Sequence, residues 1–132
     1  MSSRNIETTK RGYDAFNAGD LEAALSAFHD SAVWIVNGES TIGGTYHGKA
    51  ELAELFRRLG EKAPTVEPKR YLESGDAVVV LTSVTVEGET YHEADLFIFD
   101  NGKLIKAQAF GDTAALERIF GSKRVTVGSS NR

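Results

Sequence analysis

Asp95 stands in the run Glu93-Ala94-Asp95-Leu96-Phe97-Ile98-Phe99, a stretch of strand-forming and mostly apolar residues in which a carboxylate is out of place. Strand side chains alternate between two faces, so Glu93, Asp95, Phe97 and Phe99 share one face and Ala94, Leu96 and Ile98 the other. Both faces are oily. They need cover from helices on one side and from a second copy of the chain on the other, which predicts a homodimer. A carboxylate placed there has three outcomes: its pKa rises until it keeps a proton, it finds partners, or it opens into a polar pocket. The chemistry within reach is proton transfer by a perturbed acid. Glu93, on the same face, is either the second member of a carboxylate pair at the pocket mouth or a solvated strand end. Tyr13 reads as a packed residue whose hydroxyl reaches a partner.

Nucleophilic and metal chemistry find less support. There is no cysteine, and His29, His47 and His92 fall in no metal-binding spacing, so no metal and no cofactor are expected. His47, in a glycine-rich loop, is placed either as a base at a cavity rim or as a surface histidine. Gly43-Gly44 is not a phosphate loop, since no strand runs into it and no Gly-Lys-Ser/Thr follows.

Helical and strand periodicities supply the frame for these residues. Ile6, Thr9, Tyr13 and Phe16 form one stripe of a first helix that Gly19 ends, and Asp20 caps a second carrying Leu21, Ala24, Leu25 and Phe28. Residues 32–36 read as a strand and 37–47 as a loop. A third helix runs from Gly48 to Gly60 with Leu52, Leu55, Phe56 and Leu59 on one side. Four strands follow at about 65–73, 76–87, 90–100 and 103–111, with Asn101-Gly102 as the clearest hairpin turn. A last helix, capped by Asp112 or Thr113, carries Leu116, Ile119 and Phe120. The sum is a single α+β domain with a core at about 5–120 and a frayed tail over 121–132, apart from Val125-Thr126-Val127. In it a curved antiparallel sheet wraps the N-terminal helices and leaves a cavity.

At 132 residues, with 41% hydrophobic and 26% charged, the chain is sized for one soluble globular unit. A net charge of -4 without a basic stripe argues against nucleic acid. No apolar run approaches spanning length, so no membrane is expected and the cytoplasm is the expected location.

The order helix, helix, strand, helix, four-strand meander, together with Tyr13-Asp14-Ala15-Phe16-Asn17-Ala18-Gly19-Asp20, resembles the nuclear transport factor 2-like superfamily, with its cystatin-like cone. More narrowly it is similar to the SnoaL-like, ketosteroid isomerase-related branch. Ala32-Val33-Trp34, Gly44-Thr45-Tyr46-His47-Gly48 and the stretch from Asp100 through Ile105 to Phe110-Gly111-Asp112 carry the same likeness. The resemblance implies a hydrophobic pocket for a small apolar molecule, lined by Phe16, Trp34, Val36, Phe56, Thr82, Phe97, Gln108 and Phe110 around Asp95, with Gln108 across the adjacent strand from the carboxylate. The protonated oxyanion-hole aspartate of ketosteroid isomerase falls on Asp95. Its base falls on Val36 and its tyrosine on Gly12, so steroid isomerisation is not expected. Two functions remain open: a cofactor-independent isomerase, cyclase or hydrolase using Asp95, and a non-catalytic binding or association module.

Overall fold

A computed structural model describes residues 3–124; the expected Val125-Thr126-Val127 segment lies outside them. Helix α1 (Arg4–Asn17) starts where the Ser3 hydroxyl accepts from the Ile6 N–H at 3.0 Å, and it stops at Gly19, whose φ of 77° suits glycine. Asp20 caps α2 (Leu21–Leu25) as expected. That helix is shorter than its periodicity suggests. Phe28 opens strand β1 (Phe28–Val36) instead, held by the Leu104 N–H donating to the Ala27 carbonyl at 2.9 Å. The expected loop contains a short strand, β2 (Gly44–His47), before α3 (Gly48–Gly60).

The meander follows as β3 (Thr65–Ser74), β4 (Ala77–Val86), β5 (Glu89–Asp100) and β6 (Lys103–Gly111), then α4 (Thr113–Phe120), which Asp112 caps. The β5–β6 turn is the one the sequence announces, with Asn101 at φ 50° and Gly102 at φ 79°. The six strands form one curved, unclosed sheet in the order β2-β1-β6-β5-β4-β3. Neighbours are antiparallel except β1 and β6, which run parallel with Trp34 beside Ala107.

The sheet has two distinct faces. On β4, Val78, Val80, Thr82, Val84 and Val86 point inward and are buried; on β5 the inward set is Tyr91, Glu93, Asp95, Phe97 and Phe99. The inward valines of β4 and Tyr91, Phe97 and Phe99 of β5 join Leu52, Leu55 and Phe56 of α3 and Leu116 and Ile119 of α4 in one core. Outward lie Leu72, Leu81, Ile105 and Phe110, the large apolar residues most exposed among the described residues. No helix among the described residues is long and apolar enough to cross a membrane.

Candidate active site

Between α1 and the inner face of the sheet lies a cavity of about 100 Å³. Two side-chain bonds fasten its lid: Asn17 donates to the Val66 carbonyl at 2.7 Å and accepts from the Val66 N–H at 2.9 Å, pinning the end of α1 to β3. Tyr13, one helical turn back, is thereby aimed at β5. Its hydroxyl donates to Asp95 Oδ2 at 2.6 Å, and its ring meets Phe97 edge-on at 6.0 Å.

The floor is aromatic. Trp34 stands perpendicular to Phe56 with ring centroids 5.3 Å apart and to Phe97 at 5.9 Å, while Phe16 and Phe28 close on Phe56 from either side. Into this apolar wall β5 inserts two carboxyl groups. Asp95 is 4% exposed, and Glu93 beside it is partly buried; both line the cavity.

Burial drives the electrostatics. It pushes the Glu93 carboxyl well above the usual carboxylate range, and the Asp95 charge and their mutual hydrogen bond push the same way. Asp95 is raised by burial too, but hydrogen bonds from Glu93 and Tyr13 oppose that rise. The two carboxyls therefore titrate as a pair, and burial favours a proton held between them. Tyr13 is held far above its ordinary value by burial and by the neighbouring Asp95 charge, so it stays a phenol. Oδ1 of Asp95 receives no donor of fixed protonation, so its satisfaction depends on the Glu93 proton or on whatever enters the cavity.

Space for the pair comes from β6. Gly111 is the cross-strand partner of Glu93, and a Cβ on it would lie 2.9 Å from Glu93 Oε2. Ala109 is the partner of Asp95 and Ala107 of Phe97, so small residues on β6 face the bulky or polar ones on β5.

The structure brings together Phe16, Trp34, Phe56, Phe97 and Asp95 as expected. Val36 and Thr82 also turn inward and are buried, but they pack in the core beside the cavity; the Thr82 hydroxyl donates to the Glu93 carbonyl at 3.3 Å. Gln108 and Phe110 belong to the other face. Facing cross-strand residues share a face, and these two are opposite Leu96 and Ala94, not Asp95. Gln108 donates to Asn37 Oδ1 at 3.0 Å, and Phe110 is 46% exposed. The alternation Ala107-x-Ala109-x-Gly111 is the signal that carries the right parity. Gly12 lines the cavity without a side chain, and the phenol next to Asp95 comes from Tyr13. Sequence reasoning favours a solvated strand end for Glu93, whereas the side chain is partly buried and lines the cavity beside Asp95. His47 lies outside the cavity lining, at the start of α3, where its N–H donates to Glu51 Oε1 at 2.7 Å.

Residues 9–107 match the family described as SnoaL-like domain. Among solved structures, an NTF2-like protein of unknown function from Burkholderia pseudomallei is 27% identical, with a TM-score of 0.82 over 92% of this chain and 100% of that one. Bal32a, from a soil-derived mobile gene cassette, is 28% identical with a TM-score of 0.82 over 89% and 96%. TerC, co-crystallised with polyporic acid, is 27% identical with a TM-score of 0.79 over 91% and 100%. No curated protein matches.

Proposed function

This chain belongs to the SnoaL-like domain family, and from that premise we propose that its cavity takes a small, largely apolar molecule and moves a proton on it through Asp95, Glu93 and Tyr13. The observation that carries the reading is the 2.6 Å bond from Tyr13 to a buried carboxylate whose neighbour is a second carboxyl, all set in an aromatic wall. Asp95 accepts a proton from the bound molecule, Glu93 returns one, and the Tyr13 phenol steadies negative charge on the side facing α1. The reaction is of isomerase, cyclase or hydrolase type and uses no cofactor. The relative crystallised with polyporic acid supports a ligand-binding use of such a fold.

Val36 favours a second reading. It occupies the position of the family's strand base, is 6% exposed and carries no proton, which suits a binding module without turnover. Carbon-13 NMR titration of the Asp95 and Glu93 carboxyls, with a screen of ketones, lactones and epoxides against wild type and Asp95→Asn, separates the two. Turnover that the variant loses supports catalysis; equal rates, or two carboxyls titrating near about 4, remove the acid–base role.

The reading includes a homodimer through the outer face of the sheet, where Leu81, Ala94 and Phe110 face one another across three strands. Sedimentation velocity at micromolar concentration tests it, and a single monomer boundary would reject it.

A further inference from the structure

We propose that the ligand of this cavity carries a cationic amine, an ammonium group on an aromatic or alicyclic ring, seated between Asp95 and Glu93 with its ring against Trp34, Phe56 and Phe97. The proposal rests on the small-ligand reading above and specifies the polar end of that ligand.

Three observations lead there. The first is a missing counter-charge: the lining holds two carboxyl groups and, among the described residues, no lysine, arginine or histidine. On the surface the same chain pairs its carboxylates with guanidinium groups, Glu54 and Glu61 with Arg57 and Glu117 with Arg124. A buried carboxylate left without a cation is costly, and a ligand that brings one recovers that cost on binding. The second is an open acceptor: apart from the Glu93 carboxyl beside it, Oδ1 of Asp95 has no donor, although the residue is 4% exposed and lines the cavity. Tyr13 occupies Oδ2 on the helix side, so a donor arriving from the cavity meets Oδ1. The third is the shape of the aromatic floor. Trp34 stands at 89° to Phe56 and 79° to Phe97, so the rings offer faces as well as edges, and ring faces attract cations.

Other head groups fit less well. A hydroxyl supplies one donor and no positive charge. A carboxylate brings a third negative charge to the same wall. An ammonium supplies three donors and one positive charge, matching Asp95 Oδ1, the Glu93 carboxyl and the Tyr13 oxygen. The cavity volume suits a single ring, the size of an aromatic guest that apolar protein cavities of this order hold.

Trp34 is the only tryptophan in the chain and lines the cavity, so its fluorescence reports occupancy directly. The probes are benzylamine, benzyl alcohol, toluene and benzoate, titrated at neutral pH into wild type, Asp95→Asn and Glu93→Gln. Benzylammonium should bind wild type at least about tenfold more tightly than benzyl alcohol, and benzoate should bind least. Asp95→Asn should bring the ammonium-to-alcohol ratio down to about one, and Glu93→Gln should lower it in part. Equal affinities for benzylammonium, benzyl alcohol and toluene in wild type would overturn the amine proposal and leave the small-ligand reading standing. A preference for benzylammonium that survives in a folded Asp95→Asn would also overturn it. If none of the four probes perturbs Trp34, both readings fall. The wild-type series decides the matter even where a variant does not fold.

Discussion

The two faces of β5 are built from alternate residues of one strand, yet they follow opposite rules. Inward, Glu93 and Asp95 sit among Phe97, Phe99 and Tyr91; outward, Ala94, Leu96 and Ile98 present carbon only. The buried side tolerates polarity because a cavity interrupts its packing and Tyr13 supplies a partner. The outward side carries this apolar patch onto Leu81 and Phe110 of the adjacent strands, 40% and 46% exposed, with His92, Gln108 and Lys106 as polar neighbours. A buried acid pair inside and an exposed apolar patch outside depart from the usual polar-out pattern of a half-exposed sheet. The proposed proton transfer and the proposed self-association each draw on one of these two faces.

Truncation is the strongest way to break the contrast. Phe99→Ala, at a residue 2% exposed, should cost about 3–5 kcal/mol in urea unfolding. Tyr13→Phe keeps the ring contact with Phe97 and removes only the bond to Asp95; a hydrogen bond to a charged group of this kind is worth about 1.5–3 kcal/mol. The same variant should move the Asp95 carboxyl resonance to a still higher titration midpoint, since the bond it loses favours the ionised form.

A pH series sharpens the comparison further. Glu93 and Asp95 keep protons more tightly folded than unfolded, so above the usual carboxylate range the folded chain binds more protons and this pair's stabilising contribution falls as pH rises. Glu93→Gln cannot titrate. The stability of wild type minus that of Glu93→Gln should therefore decline from about pH 4.5 upward, with a slope of at most about 1.4 kcal/mol per pH unit. A flat difference would place Glu93 in bulk water. Smallest of all, Phe110→Ala on the open face should change unfolding of the dilute chain by no more than about 0.5 kcal/mol while weakening self-association in sedimentation.

Local signals carried far into the fold. Asn101-Gly102, the caps at Asp20 and Asp112, and the span from Gly48 to Gly60 each depend on neighbours within a few residues, and each stands where the sequence puts it. Phe28 shows where such signals stop. Its spacing from Leu21, Ala24 and Leu25 continues a helix, but pairing with Leu104 claims it for β1. Short β2 is masked by Gly43 and Gly44. Within the site, Asp95 was legible because a carboxylate in an apolar strand is conspicuous. Glu93 was not, since a partner and a strand-end carboxylate read alike in one dimension. Gln108 and Phe110 were assigned to the wrong face because parity on β6 follows from pairing with β5, a long-range fact that only the alternating alanines and Gly111 hint at.

The parallel contact of Trp34 with Ala107 has a consequence for how the molecule is made. Within the described sheet, the strand bearing the indole is hydrogen-bonded to the meander only through β6, the last of the meander's strands, so the sheet around the hollow closes up only when β6 pairs. Until residue 111 emerges, the acidic pair has no glycine beside it and the aromatic corner no backing. The chamber is therefore completed late in the chain, and a nascent chain halted before β6 would hold every wall residue except Leu104 without the strand that joins them.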